Sequence, residues 1–191
     1  NPNGDQTASL GLFYDEFNSG NGLTITEVIE GGPVDVAISR IRAGHIIEQI
    51  DGTAITADAD WAKLLNRKAG NNILLTVFDP VKKERYEESI KPIANEQGLL
   101  YDRWVNTMRK MVEKLSNGKV GYVHVQGMND GSYRTVYEEV LGRNAGKQAL
   151  IVDTRFNGGG WLHEDLSNFL AGKNYITFKP YGFNAEGGEP Q

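Results

Sequence analysis

The sequence predicts an α+β protein: a small β-domain with one or two helices, then a long helix and a partial βαβαβ parallel sheet. Three observations lead there. Residues 1–94 read as short strands punctuated by turn residues. Residues 95–191 open with a helix whose apolar side chains share one face. From Lys119 onward, apolar strands alternate with helical patterns.

In the first part, Leu10 to Tyr14, Gly22 to Glu30, Ile46 to Ile50, Asn72 to Asp79 and Glu84 to Ile90 are rich in β-branched, leucine or aromatic residues, as strands are. Gly31-Gly32-Pro33, Asp51-Gly52 and Asp79-Pro80 between them are turn signals. Trp61, Leu64 and Leu65 fall at i, i+3 and i+4, which predicts a helix with Asp58 as its N-cap.

A helix is expected from about Glu96 to Ser116, with Leu100, Trp104, Met108, Met111 and Leu115 on one buried face and Asn117-Gly118 as its stop. Lys119 to Val125 reads as a strand. The next helix is capped by Ser132, presents Tyr133, Val136, Tyr137, Val140 and Leu141, and ends at Asn144-Ala145-Gly146. Gln148 to Asp153 is almost continuously apolar, which predicts a strand covered on both faces. Asn157-Gly158-Gly159-Gly160 then leads into a helix with Leu162, Leu166, Phe169 and Leu170, stopped near Gly172. Tyr175 to Phe178 is expected as a third parallel strand, joined by right-handed crossovers. Beyond Pro180 the chain is rich in Gly and Asn, and this second domain is expected to be cut short.

Bulk properties narrow the function classes. With no cysteine there is no disulfide, thiol nucleophile or Cys-ligated metal. Net charge −5 without a basic block argues against nucleic acid. The three histidines, His45, His124 and His163, lack the spacing of a helical zinc motif, so neither a metal nor another cofactor is expected. Apolar runs such as Ala149-Leu150-Ile151-Val152 are too short to span a bilayer. The polar start Asn1-Pro2-Asn3-Gly4-Asp5 reads as a cut or processing boundary rather than a signal peptide. Compartment stays open, with export preferred to the cytoplasm.

Two glycine segments carry the functional reading. At Leu10-Gly11-Leu12-Phe13, successive backbone amides can converge on an anion beside an apolar pocket; a bulged strand would read the same way. Gly158-Gly159-Gly160 follows the C-terminal end of a parallel strand, where ligands bind in open α/β sheets. A dinucleotide loop is excluded because His163 stands where a further glycine is needed. Gly142 to Gln148 fails as a nucleotide loop because it runs from helix to strand and Gln148 replaces Ser or Thr. An oxyanion hole or a tight strand–helix turn remains.

The order Leu10-Gly11-Leu12, Leu23 to Val28, Gly31-Gly32-Pro33-Val34-Asp35-Val36-Ala37, Ile41-Arg42-Ala43-Gly44-His45-Ile46-Ile47 and Ile50-Asp51-Gly52-Thr53 resembles a bacterial-type PDZ domain over Leu10 to Pro92. His45 departs from the family's usual Asp. The resemblance implies that an extended peptide adds beside the Leu10–Tyr14 strand, touching Leu10, Gly11, Leu12 and Phe13, with Trp61, Leu64 and Leu65 as the far wall.

Gly121-Tyr122-Val123-His124-Val125 followed by Ala149 to Gly160 resembles the tail-specific and tricorn-type serine peptidases, nearer the tricorn branch in its Asn-Gly-Gly-Gly-Trp form. That family carries a PDZ domain before a crotonase-like or Clp-like core. The resemblance implies that amides of Gly158, Gly159 and Gly160 help form an oxyanion hole; Asp153 and Arg155 themselves read as organisers of the turn through a buried charged contact. The resemblance also implies peptides or unfolded protein tails as partners and a homo-oligomer for the full-length protein. In the family the nucleophilic serine lies downstream of the glycines, and in the tricorn branch the base histidine lies upstream of the PDZ domain. The 191-residue chain is therefore expected to be inactive alone. Ser132 reads as a cap, Ser167 as helical, His124 as a satisfied core residue and His163 as exposed. A non-catalytic peptide-binding adaptor and a crotonase-like acyl-CoA enzyme are the competing readings.

Overall fold

A computed structural model describes residues 4–171, 176–178 and 187–189. The chain forms two compact units, Asn1–Trp104 and Val105–Gln191.

The first unit is an antiparallel sheet of β1 (Leu12–Tyr14), β2 (Leu23–Val28), β3 (Ile46–Ile50), β4 (Thr53–Ala54), β5 (Ile73–Asp79) and β6 (Glu84–Ile90). Its order is β1-β2-β3-β5-β6, with β4 paired to β3. Alternation sorts the side chains: Ile73, Leu75 and Val77 of β5 point into the core while Leu74 points out. Leu10, Leu12, Ile25, Ile41, Ile47, Ile50 and Leu65 are among the residues that share that core. Each such side chain contributes about 1.5–3 kcal/mol of gross burial.

The expected turns are present with their physical reasons visible. Asp51 and Gly52 both take positive φ (48° and 75°), the mirror-image geometry that a two-residue hairpin between twisted strands requires. Asp79 Oδ1 accepts from the amides of Val81 and Lys82, closing the β5–β6 turn. The expected Trp61 helix is one turn of 3-10 helix, Trp61–Leu65. Asp58 does not cap it; Asp60 precedes the first turn and makes no side-chain cap bond. Five residues cannot repay the nucleation cost of an α-helix.

Helix α1 (Gln97–Leu115) contains the boundary between the units. It stops as expected: Asn117 and Gly118 turn left-handed (φ 51° and 75°), and the Gly118 amide reaches Glu113 O at 2.8 Å. The expectation of one buried stripe is corrected. Val105 is the buried residue of α1, whereas Met111 is 48% and Leu115 79% exposed.

The second unit holds β7 (Val120–His124), α2 (Asp130–Leu141), β8 (Ala149–Asp153) and α3 (His163–Ala171). β7 and β8 are parallel, in register from Val120↔Ala149 to His124↔Asp153. Val123 and Val125 pack with Val136 of α2 and Leu166 of α3. Asn129, not Ser132, caps α2: its Oδ1 accepts from the Ser132 amide at 3.0 Å, which places Ser132 inside the first turn.

Two further expectations are corrected here. β8 is covered on one face, with Ile151 45% exposed on the other. The third strand, β9 (Ile176–Phe178), pairs antiparallel with β10 (Gly187–Glu189), so among the described residues the parallel sheet has two strands. The expected helix stop near Gly172 lies outside the described residues.

Candidate functional site

Strand β1 is the edge of its sheet. Gly11 O accepts from the Ile29 amide and the Asp15 amide donates to Thr24 O, so these residues turn their backbone groups toward β2. By two-residue alternation, Leu12 and Tyr14 aim theirs off the open edge. Three cavities adjoin this edge among the described residues, one of them lined by Phe13, Glu27 and Arg103; the other two hold most of the predicted groove residues. One, ≈ 440 Å³, runs from Leu12 and Tyr14 past Leu23 and Ile55 to Trp61. The other, ≈ 560 Å³, lies among Ser9, Leu10, Leu12, Leu65, Glu96 and Leu100. Tyr14 and Trp61 line both and meet edge to face, with ring centroids 5.1 Å apart.

The sequence-predicted groove residues therefore divide. Leu12 and Trp61 line both cavities, Phe13 lines the first, and Leu10 and Leu65 line the second. Leu64 packs on the core and lines neither cavity. Phe13 also lies under the Arg103 guanidinium, whose carbon is 4.9 Å from the ring centre.

Gly11 makes the loop before β1 possible. Its φ is +67°, and a Cβ there would lie 2.9 Å from Pro33 Cδ and 3.2 Å from Gly32 Cα. Its amide is already engaged, donating to Ser9 Oγ at 2.9 Å, and Ser9 Oγ donates to Glu96 Oε2 at 2.5 Å. Burial, and then the Glu96 carboxylate, hold the Tyr14 phenol well above its ordinary range, so it stays a protonated donor. Sequence reading missed Ser9, Tyr14 and Glu96. Ser9 and Glu96 meet across 87 positions, and no local pattern announces that pairing.

The glycine loop follows β8. Asp153 at the strand end is buried and accepts from Tyr122 Oη at 2.7 Å. It also holds Arg155 through the backbone amide, Nε and Nη2, the last at 2.6 Å. Arg155 is the main reason the Asp153 carboxyl lies far below the usual carboxylate range. The Asp153 carboxylate likewise holds the guanidinium above its usual range. Burial, reinforced by Asp153, pushes the Tyr122 phenol up to about 12. The expected buried contact is buried only on its Asp153 side, because the Arg155 side chain is exposed.

Asn157 pins the loop to the end of β7, its Nδ2 donating to Val125 O at 2.9 Å. Its Oδ1 accepts from the Gly159 amide at 2.7 Å. In front of Gly158 and Gly159 a Cβ would meet nothing within 4 Å, whereas at Gly160 it would lie 2.5 Å from Met128 O. Gly160 bridges Met128 in parallel, and its φ of +144° lies outside ordinary side-chain space. Two exposed aromatic residues flank the loop, Phe156 (88%) and Trp161 (92%). His124 is buried with Nε2 2.8 Å from Arg155 O, and Ser167 lies within α3. His163 opens α3 half-buried, not exposed as expected.

Residues 119–180, the stretch holding β7, α2, β8 and α3, match the model of peptidase family S41. The tricorn protease of Thermoplasma acidophilum is 28% identical over 153 residues, which cover 76% of this chain and 14% of that protein. Tricorn protease homolog 1 of Streptomyces coelicolor is 32% identical over 131 residues, covering 69% of this chain and 12% of its own. The chain thus spans about one seventh of the length of the curated relatives it matches. A crystal structure of the tricorn protease superposes with a TM-score of 0.75 at 22% identity, covering 97% of this chain and 18% of that one, which speaks for the fold. Residues 119–180, with the Asp153-to-Gly160 loop at the end of a parallel strand, thus carry the pattern of peptidase family S41, a serine peptidase family, and the chain is similar to a partial region of the tricorn proteases.

Proposed function

We propose that the chain is the substrate-holding and oxyanion-binding part of a serine peptidase that hydrolyses peptides or unfolded protein tails. The first unit is a PDZ-like module in which an extended peptide adds beside β1. The amides of the glycine loop neutralise the oxygen anion of the acyl-transfer intermediate. Nucleophile and base come from parts of the protein outside these 191 residues, so the chain alone turns nothing over.

The open loop after β8 carries this reading. Gly158 and Gly159 face open space at the C-terminal end of the parallel strands, and Asn157 fixes the loop to β7. Of the three amides, that of Gly159 is held by Asn157 Oδ1 and Gly160 is crowded against Met128, so Gly158 is the donor to test first. Preorganised backbone donors need no reorganisation as charge develops. The exposed rings of Phe156 and Trp161 supply apolar surface for a substrate chain beside it.

The test uses the full-length protein. Gly158→Pro deletes one backbone donor and Gly158→Ala keeps it. Losing the donor should lower kcat by about 10²–10³, with KM little changed and the Ala variant near wild type. Equal activity in all three proteins, with each folded by circular dichroism, rejects the role. A full-length protein without peptidase activity points instead to a peptide-binding adaptor.

A further inference from the structure

Resting on the reading of β1 as a peptide-binding edge, we infer that the groove takes the interior of an extended, neutral or basic segment, not a chain's free carboxyl end. A groove built for a terminal carboxylate needs unused amides at its head and a cationic or neutral surround. Here the first of those amides is taken. The Gly11 amide is spent on Ser9 Oγ, and the Ser9 hydroxyl is spent on Glu96. A carboxylate arriving there meets the Glu96 carboxylate, and like charges brought together in a part-buried site repel.

The rest of the lining has the same sign. Asp15 and Glu16 stand in the first cavity and Glu96 in the second, and neither lining includes a lysine or arginine. Arg103, near Phe13, is held by both carboxylate oxygens of Glu27 at 2.6 and 2.7 Å. The apolar floor of Leu10, Leu12 and Leu65 suits alternate side chains of an added strand. The backbone groups of Leu12 and Tyr14 along the open edge suit its main chain. The carboxylates at either end favour cationic residues where the strand runs on. The first unit would then grip a polypeptide along its length, wherever a strand of suitable charge occurs.

The test is a labelled library with six randomised positions, prepared once with C-terminal acids and once with C-terminal amides. Both are passed over the immobilised 191-residue chain and its Glu96→Gln variant. Glutamine can still accept from Ser9, so the loop is kept while the charge is removed. The amide library should be retained about tenfold better by the wild type, with Lys and Arg enriched in what is bound. Glu96→Gln should bring the two libraries close to parity. Better retention of the acid library overturns this inference while leaving the peptide-binding edge intact. So does an amide preference that survives Glu96→Gln. Retention of neither library overturns the reading of the edge itself.

Discussion

Tyr122 of β7 donates its hydroxyl to Asp153 Oδ2 of β8 across 2.7 Å, on the carboxylate that also holds Arg155. The parallel register places Tyr122 opposite Ile151, one alternation below the His124–Asp153 pair, and the phenol spans that step. One buried carboxylate therefore ties two strands and the start of the glycine loop together. Its charge state should govern the geometry of everything that follows.

The first prediction concerns acid. Asp153 titrates far lower folded than unfolded, so its ionisation stabilises the fold fully above its unfolded value of ~3.9. That contribution is lost as pH falls from there toward the folded value. Hydrogen exchange of the β7 and β8 amides, in wild type and Asp153→Asn, should show the wild-type advantage at pH 6 shrinking below pH ~4. A difference constant across that range refutes the assignment.

The second concerns alkali. The Tyr122 phenol is raised to about 12 in the fold, so its neutral form is the stabilised one. Stability is complete below the unfolded value of ~10 and drains away as pH rises through the folded value. Tyr122→Phe should cost about 1.5–3 kcal/mol at neutral pH, as loss of a hydrogen bond to a charged group does. It should also abolish this alkaline window in the exchange of β7.

The third concerns Gly11. Valine there would be forced to φ +67° with its Cβ against Pro33 and the Gly32 backbone. Left-handed strain alone costs about 1–3 kcal/mol, and the crowding adds to it. Urea unfolding should show that loss for Gly11→Val, with Gly98→Ala, where a Cβ meets nothing, close to wild type. A fully stable Gly11→Val chain would contradict the described loop.

The fourth concerns turnover. The purified chain should leave unfolded protein and fluorogenic peptides uncut after repurification. Hydrolysis that co-purifies with it would require a nucleophile within residues 1–191.

Much of the fold could be read directly from residues whose local chemistry is also their global role. Ile73, Leu75 and Val77 alternate because one side of β5 is core, and Asp51-Gly52 turns because its φ values demand it. The stop at Asn117-Gly118 is similarly local. The misreadings share a different cause. Met111 and Leu115 carry an apolar stripe, but periodicity says which side chains share a face, not what covers it. The run from Ala149 to Val152 is apolar on both sides of β8, yet Ile151 stays half open. β9 has strand composition, and composition does not choose its partner. In the two glycine segments, the glycines and strand ends stand out as sequence. Their fixings, Glu96 on Ser9 and Tyr122 on Asp153, join positions too distant for any spacing rule.

The contact between Tyr14 and Trp61 has an optical consequence. A strand settling along β1 must pass the place where those rings touch, changing the polarity and quenching around one indole. Trp161, almost fully solvated, and Trp104, which lines neither groove cavity, supply a steady background. Occupancy of the edge can thus be followed from the native emission spectrum, without attaching a dye to the protein.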